Sequence, residues 1–150
     1  MRKLTAALIT ALMAGGIVAC GDDEDEGPAK SDYIAEVDKI CARSDAETNR
    51  LAEEAFEDPE DPQPDEAQAF LKQGLPVVQD ALEDIEQVEK PKDDEERLEE
   101  WIAATEAGVT SLEEASATPE TSLTALVGEP FAESEKIAEE YGMKDCGPDE

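Results

Sequence analysis

Residues 31–56 read SDYIAEVDKICARSDAETNRLAEEAF, and their apolar and small side chains recur in steps of three and four. This spacing places those side chains on one face of an α-helix, which has about 3.6 residues per turn. Charged side chains such as Glu36 and Lys39 fill the other faces. Ser31 is the predicted N-cap, and Asp32 follows in the first turn, where an acid favours the positive end of the helix dipole. The stretch predicts an amphipathic helix of about seven turns.

Two further helices are predicted downstream, each preceded by proline. Prolines at positions 59, 62 and 64 end the first helix, and Asp65 is the predicted N-cap of the second. Pro76 should kink this second helix about one turn back. Asp93 is the predicted N-cap of the third helix, with Glu96 as its capping-box partner. Helix-spaced apolar positions support both predictions: Ala67, Phe70, Leu71, Leu75, Val78, Leu82, Ile85 and Val88, then Leu98, Trp101, Ile102, Thr105, Val109, Leu112 and Ala115.

A fourth helical segment follows the Thr118-Pro119 break. Gly128 and Pro130 divide it, so two shorter helices are an alternative, and Gly142 is the predicted left-handed terminator. Its apolar positions are Leu123, Leu126, Val127, Phe131, Ile137, Ala138 and Tyr141. No stretch alternates apolar and polar residues as a half-buried strand does. Residues 31–150 therefore predict an all-α domain, an antiparallel four-helix bundle.

The N-terminus has the layout of an export signal. The basic pair Arg2-Lys3 precedes an apolar stretch of sixteen residues, which is shorter than the roughly 18 to 20 residues needed to span a bilayer. The sequence Ile17-Val18-Ala19-Cys20 resembles the bacterial lipobox, in which the cysteine receives a diacylglyceryl group. We therefore predict a lipoprotein signal peptide over residues 1–19, with Cys20 as the lipidation site.

Lipidated Cys20 would hold the mature protein at the membrane by acyl chains such as palmitate. The alternative is an ordinary signal cleaved near Ala19, with Cys20 free or paired elsewhere. Residues 20–30 contain five consecutive acids and no apolar periodicity, which predicts a disordered, extended tether between the membrane and the domain. The predicted location is the extracytoplasmic face of the cell membrane.

The charge balance excludes several classes of function. The chain has 41 Asp and Glu against 12 Lys and Arg, a net charge of −29, and no His. Binding to nucleic acid or to an anionic lipid surface requires clustered basic residues, so neither is expected of this domain. The lack of His removes Ser-His and Cys-His catalysis and His-based metal sites. We predict no cofactor and no metal, and the acidity reflects either a saline habitat or a cationic partner.

Two cysteines remain once Cys20 is assigned to lipid. Cys41 lies on the apolar face of the first helix, and Cys146 follows the last one. Disulfides persist in exported proteins, so a Cys41–Cys146 bridge is the simplest prediction. It would close a loop of about 100 residues, which the loop-entropy model values at about 4.7 kcal/mol. The alternative is a reactive or redox pair.

These features together resemble a family of small actinobacterial lipoproteins. The resemblance rests on the lipobox, the acidic tether, a DYI opening at residues 32–34 followed by Ile40-Cys41, and a YGMKDCG ending at residues 141–147. It implies a disulfide-stapled helical domain outside the membrane, and it implies no activity.

Three classes of function are compatible with the sequence. The first is a non-enzymatic, membrane-anchored protein with a binding or envelope-surface role, whose envelope protein partner the residues do not identify. The second is a bundle that binds a small ligand in a cavity at the kinked second helix, lined by Phe70, Trp101 and Phe131. The third is an enzyme that uses carboxylates alone, which a small bundle without a long groove does not favour. We predict the first class, without catalytic residues.

Overall fold

A computed structural model describes residues 27–148 and shows an all-helical chain over that range. The helices are α1 (Lys30–Ala55), α2 (Pro64–Glu86), α3 (Glu95–Ala115), α4 (Pro119–Leu126) and α5 (Ala132–Tyr141), with a short 3₁₀ helix at Lys92–Asp94. The all-α prediction is confirmed. The predicted signal peptide, the Cys20 lipidation site and tether residues 20–26 lie outside the described residues. Within the described range, no helix has the length and apolarity that crossing a membrane requires.

The predicted fourth helix is two helices. α4 ends at Leu126 and α5 begins at Ala132. Between them Glu129 has a φ of 51°, in the left-handed region that a non-glycine residue rarely adopts. The left-handed Glu129 breaks the helical backbone, and Pro130, which cannot donate a backbone hydrogen bond, follows it in the link between the two helices. The described residues therefore form a bundle of five helices, and the alternative of two shorter helices is confirmed.

The first three helices run antiparallel, with α2 between α1 and α3. Phe56 packs against Phe70 at one end of the α1–α2 pair, with ring centroids 5.4 Å apart, and Arg43 pairs with Asp84 at 2.5 Å towards the other end. Gln68 donates to the Ser116 carbonyl at 3.0 Å across the α2–α3 pair. The short helix α4 packs against both α2 and α3, and α5 packs against α3.

The core has two clusters of buried side chains. The larger joins the start of α1 to α3, α5 and the tail, and consists of Tyr33, Val37, Ile85, Leu98, Trp101, Ile102, Ile137, Ala138, Tyr141 and Met143. The smaller lies between α2 and α3 and consists of Leu71, Leu75, Val109 and Leu112. All but one of these residues lie on the helix faces predicted from sequence; Met143, which follows α5, is the exception.

Three predicted N-caps are wrong by one or two residues. α1 begins two residues early, with Ala29 in the cap position instead of Ser31. In the second helix Pro64 takes the first helical position, for which its fixed φ is suited, so Asp65 lies inside the first turn. The 3₁₀ helix before α3 moves the cap from Asp93 to Asp94.

Two other predictions about helix ends and interiors have clearer outcomes. Gly142 ends α5 with a φ of 103°, which confirms it as the left-handed terminator. Pro76 lies inside α2, which continues to Glu86. Because Pro76 has no N–H, the Lys72 carbonyl receives no backbone hydrogen bond from it. The proline therefore weakens α2 locally without ending it.

Candidate functional site

The disulfide between Cys41 and Cys146 joins α1 to the tail that follows α5. The two Cα atoms lie 5.3 Å apart. This confirms the predicted pairing. The bridge closes a sequence separation of 105 residues and so fixes the C-terminal tail across the middle of α1.

A hydrogen-bonded clasp supports the disulfide. The Asp38 carboxylate, one turn before Cys41, accepts hydrogen bonds from the backbone N–H groups of Lys144 and Asp145 at 3.0 and 3.2 Å. Met143, at the start of the tail, is buried in the larger core cluster. The tail is therefore held by a covalent bond, two charge-assisted hydrogen bonds and one apolar contact.

A partly open cleft of about 370 Å³ lies beside this clasp. Each of the five α-helices contributes to its wall, and the disulfide and Gly147 form part of it. Most of the wall is apolar, and both core clusters reach it: Ile85 and Trp101 come from the larger cluster, and Leu71 from the smaller. The cleft therefore lies where the two halves of the core meet.

Three aromatic side chains line the cleft. They are Phe70, Trp101 and Phe131, which the sequence analysis names for a ligand pocket at the second helix. The α2 residue Gly74 also lines it. Phe131 is held against α3 at Gly108, where an added Cβ would come within 2.5 Å of the Phe131 ring. That glycine lets the ring approach the α3 backbone closely.

Three of the four hydroxyl groups in the wall are already used as donors, and the fourth belongs to Ser44. Thr48 donates to the Ser44 carbonyl at 3.0 Å, Thr105 to the Trp101 carbonyl at 3.0 Å, and Ser134 to the Phe131 carbonyl at 2.9 Å. Each hydroxyl has a single proton and can still accept hydrogen bonds. These oxygens can therefore accept hydrogen bonds from a ligand.

The charged groups in the wall are all carboxylates. Asp45 belongs to α1, Glu135 to α5 and Asp145 to the tail. Among the described residues, no Lys or Arg lines this cleft. Asp45 and Glu135 also have other interactions within the protein. The sequence pattern does not distinguish these three acids, because they come from distant segments and each lies among many other acids.

Two tyrosines pack against each other near the start of α1: Tyr33 of α1 and Tyr141 of α5. The Tyr33 and Tyr141 rings meet edge to face, with centroids 6.3 Å apart. The Tyr141 hydroxyl donates to Asp94 at 2.8 Å, and Lys30 lies over the Tyr141 ring. Burial raises the pKa of Tyr33 to about 12. Burial and, secondarily, the Asp94 hydrogen bond raise the pKa of Tyr141. Both phenols therefore stay neutral in the folded protein at physiological pH.

Comparison with known proteins finds no matching family model, no matching curated protein and no matching solved structure. The described residues also contain no group of three or more acids or cysteines placed to hold a metal ion. The cleft, its aromatic wall and its three carboxylates are therefore the features from which a function can be argued.

Proposed function

We propose that the protein is a lipid-anchored, non-enzymatic binding protein of the extracytoplasmic membrane face, and that its helical domain holds a small, largely apolar ligand in the cleft. The proposal combines the predicted membrane anchor with the predicted ligand-binding bundle. In it, α4 and α5 together take the place of the fourth helix of an antiparallel bundle. The observation that carries the binding function is the aromatic cleft.

The size and the wall of the cleft support binding. Ligand pockets commonly have volumes of about 300 to 1,000 Å³ and apolar walls with a few polar groups. The cleft has a volume of about 370 Å³, three aromatic side chains and a small set of hydroxyls and carboxylates. Among the described residues, the exposed large hydrophobic side chain is Val127, which is not part of the cleft. Apart from Val127, the apolar surface that a ligand could contact therefore lies inside this cleft.

The disulfide supports a cleft that is formed before the ligand arrives. Cys41 and Cys146 lie in the wall, and the bridge holds α1 and the tail together there. A binding site that is ordered in advance avoids the entropy cost of assembling it around the ligand. This matters in a small, highly charged domain whose core alone is modest.

The anchor is supported by residues 1–20 and is tested separately. The intact mass of the protein isolated from its native membrane fraction should correspond to a chain that begins at Cys20 and carries a diacylglyceryl group. Two thiols should appear only after reduction, because Cys41 and Cys146 are bridged. An unmodified chain, or a chain that begins elsewhere, would remove the anchor from the proposal.

The ligand site is tested through Trp101, which is the single tryptophan of the chain and lines the cleft. Titration with octanol, a neutral apolar probe, should change the tryptophan fluorescence and saturate. Ser44→Phe places a ring in the cleft and should abolish the response, whereas Ser111→Phe, on the exposed face of α3, should keep it. Thermal melts of both variants verify folding. A response that survives Ser44→Phe in a folded protein would contradict the site.

A further inference from the structure

We infer that the ligand of the cleft carries an uncharged oxygen that accepts a hydrogen bond from the indole N–H of Trp101. Its class is then a neutral amphiphile, such as a long-chain ketone, ester or alcohol. The inference rests on the proposed function and specifies the ligand of the same site. It follows from a buried donor in the cleft wall that has no partner within the described part of the protein.

The indole N–H of Trp101 is this unpaired donor. Trp101 is 3% exposed. Its carbonyl accepts a hydrogen bond from the Thr105 hydroxyl, but its indole N–H donates to none of the residues that the structure describes. The N–H of a buried tryptophan usually has a partner, because an unpaired one loses its hydrogen bonds to water without replacement. The unpaired N–H therefore points to an acceptor that comes from outside the core.

A small molecule can reach this N–H through the cleft. Among the described residues, the buried side-chain polar atom that is sealed off without a partner is the Tyr33 hydroxyl oxygen, and the indole nitrogen of Trp101 is not sealed in this way. Trp101 lines the cleft and also belongs to the larger core cluster, whose side chains are apolar apart from two tyrosine hydroxyls. The core thus offers the indole no acceptor, and the cleft is the space from which one can approach.

The uncharged polar groups elsewhere in the wall leave this role to Trp101. The hydroxyls of Thr48, Thr105 and Ser134 already donate their protons to backbone carbonyls. The Ser44 hydroxyl keeps its proton, but Ser44 is half-buried, so water can satisfy it without a ligand. An oxygen that enters the cleft therefore gains most by pairing with the indole N–H, which is the more deeply buried donor.

The rest of the ligand follows from the apolar wall and from the charge of the protein. The rings of Phe70 and Phe131, with Leu71, provide apolar surface for an alkyl body. A carboxylate would also accept from an N–H, but it would approach a protein with a net charge of −29. An uncharged oxygen on an apolar body avoids this repulsion and still pairs with the donor.

The first test compares two probes of the same shape: octan-2-one, and 2-methyloct-1-ene, in which a CH₂ group replaces the carbonyl oxygen. Each is titrated into the mature protein, and the shift in melting temperature reports its affinity. The chain has a single tryptophan, so one indole N–H signal in the NMR spectrum reports on the donor. We expect both probes to bind and the ketone alone to move the indole proton signal downfield, as a new hydrogen bond does. A bound ketone that shifts the signal no more than the alkene would overturn the inference and leave an apolar site in place. Failure of both probes to bind would remove the proposed function itself.

Replacement of the indole N–H tests what it contributes to affinity. Biosynthetic incorporation of β-(3-benzothienyl)alanine in place of tryptophan exchanges the N–H for sulfur at position 101 alone and keeps the two-ring shape. The affinity for octan-2-one should fall about tenfold, because the bound carbonyl loses its donor, and the affinity for 2-methyloct-1-ene should stay unchanged. The control is Ser44→Ala, which removes the second available donor of the wall and should keep both affinities of the parent protein. Thermal melts verify that both proteins fold. The inference is overturned if the analogue loses affinity for both probes equally or for neither, or if Ser44→Ala alone weakens ketone binding.

Discussion

Tyr33, near the start of α1, and Tyr141, at the end of α5, differ in whether the hydroxyl has a hydrogen-bond partner. Tyr33 is 1% exposed, and its hydroxyl has no hydrogen-bond partner among the described residues. Tyr141, with which it packs, donates its hydroxyl to Asp94. An unsatisfied buried polar group costs about 1 to 3 kcal/mol, whereas a satisfied one makes a modest net contribution. Both rings are buried, so the two residues differ mainly in their hydroxyls. The Tyr33 hydroxyl should lower the free energy of unfolding, and the Tyr141 hydroxyl should raise it.

Substitution by phenylalanine tests this difference. Tyr33→Phe removes the unsatisfied hydroxyl and keeps the ring, so it should raise the free energy of unfolding, by about 1 kcal/mol or more. Tyr141→Phe leaves Asp94 without its donor and should lower the free energy of unfolding by about 1 kcal/mol. Denaturant unfolding of both variants beside the parent protein measures the effects. Destabilisation by Tyr33→Phe would show that the hydroxyl has a partner, such as a buried water.

The raised pKa values of both tyrosines predict a loss of stability in alkali. The pKa of Tyr33 rises from 10.0 to about 12, and that of Tyr141 also rises. Folding favours the neutral phenols, while the unfolded chain releases their protons near pH 10, so stability is fully present below pH 10 and falls as the pH rises towards 12. The chain has two tyrosines, so tyrosinate absorbance should appear only on unfolding. A folded protein that ionises a tyrosine at pH 10 would contradict the prediction.

At the scale of the helices, sequence predicts the faces well and the ends poorly. The helix-spaced positions of α1, α2 and α3 are buried or half-buried, because steps of three and four residues follow directly from helix geometry. The start of each helix depends on competition between neighbouring candidates. Asp93 and Asp94 are both suitable caps, and only the 3₁₀ turn before α3 decides between them. Such choices depend on tertiary contacts that the sequence pattern does not contain.

Two helical glycines give a matched test of helix packing. At Gly108 an added Cβ would lie 2.5 Å from the Phe131 ring and 2.8 Å from the Pro130 carbonyl oxygen. At Gly74 the nearest atom outside the local helix backbone would be 3.7 Å away, on the Phe70 ring, which is an ordinary contact. Gly108→Ala should therefore destabilise the protein by about 1 to 3 kcal/mol, because α3 and the α4–α5 link must separate.

Gly74→Ala is the control for this prediction. Alanine in a helix interior is favoured over glycine by about 0.5 to 1 kcal/mol, so this variant should unfold at higher denaturant concentration than the parent. The pair separates helix propensity, which acts in the same direction at both sites, from the clash, which exists at Gly108 alone. Equal stabilisation by the two substitutions would mean that Phe131 can move away from α3 without cost.

For the whole molecule, the cysteine pairing was predictable and the cleft chemistry was not. With Cys20 predicted to carry lipid, two cysteines remain and each has one possible partner, so counting was enough. The three cleft aromatics were also within reach, because helix spacing directs them inward. The carboxylates Asp45, Glu135 and Asp145 are distant in sequence and lie among 41 acids. They line one cleft only because α1, α5 and the tail meet there in the folded protein.

The disulfide should provide a large share of the stability of the whole domain. Cys41→Ala/Cys146→Ala should lower the free energy of unfolding by about 2 to 5 kcal/mol, because a long loop is released in the unfolded chain. Reductant should destabilise the parent protein by a similar amount and leave the variant unchanged. Equal denaturation midpoints for the oxidised parent and the variant would show that the Asp38 clasp and the core hold the tail without the bridge.

The net charge of −29 predicts that salt stabilises the domain. Mutual repulsion among the acids opposes the compact state, and salt screens it, with a Debye length of about 10 Å at 0.1 M. The opposing loss of exposed ion pairs, such as Arg50 with Glu47, is small because water and salt already screen such pairs. The melting temperature should therefore rise from low to molar potassium chloride.

The Glu53→Gln/Glu106→Gln/Glu139→Gln variant, which loses charges from exposed helix positions, should start at a higher melting temperature and gain less from salt, since it has less repulsion to screen. A flat or falling melting temperature in the parent protein, or an equal salt increment in the variant, would mean that repulsion between surface carboxylates does not limit stability and that their number serves another purpose.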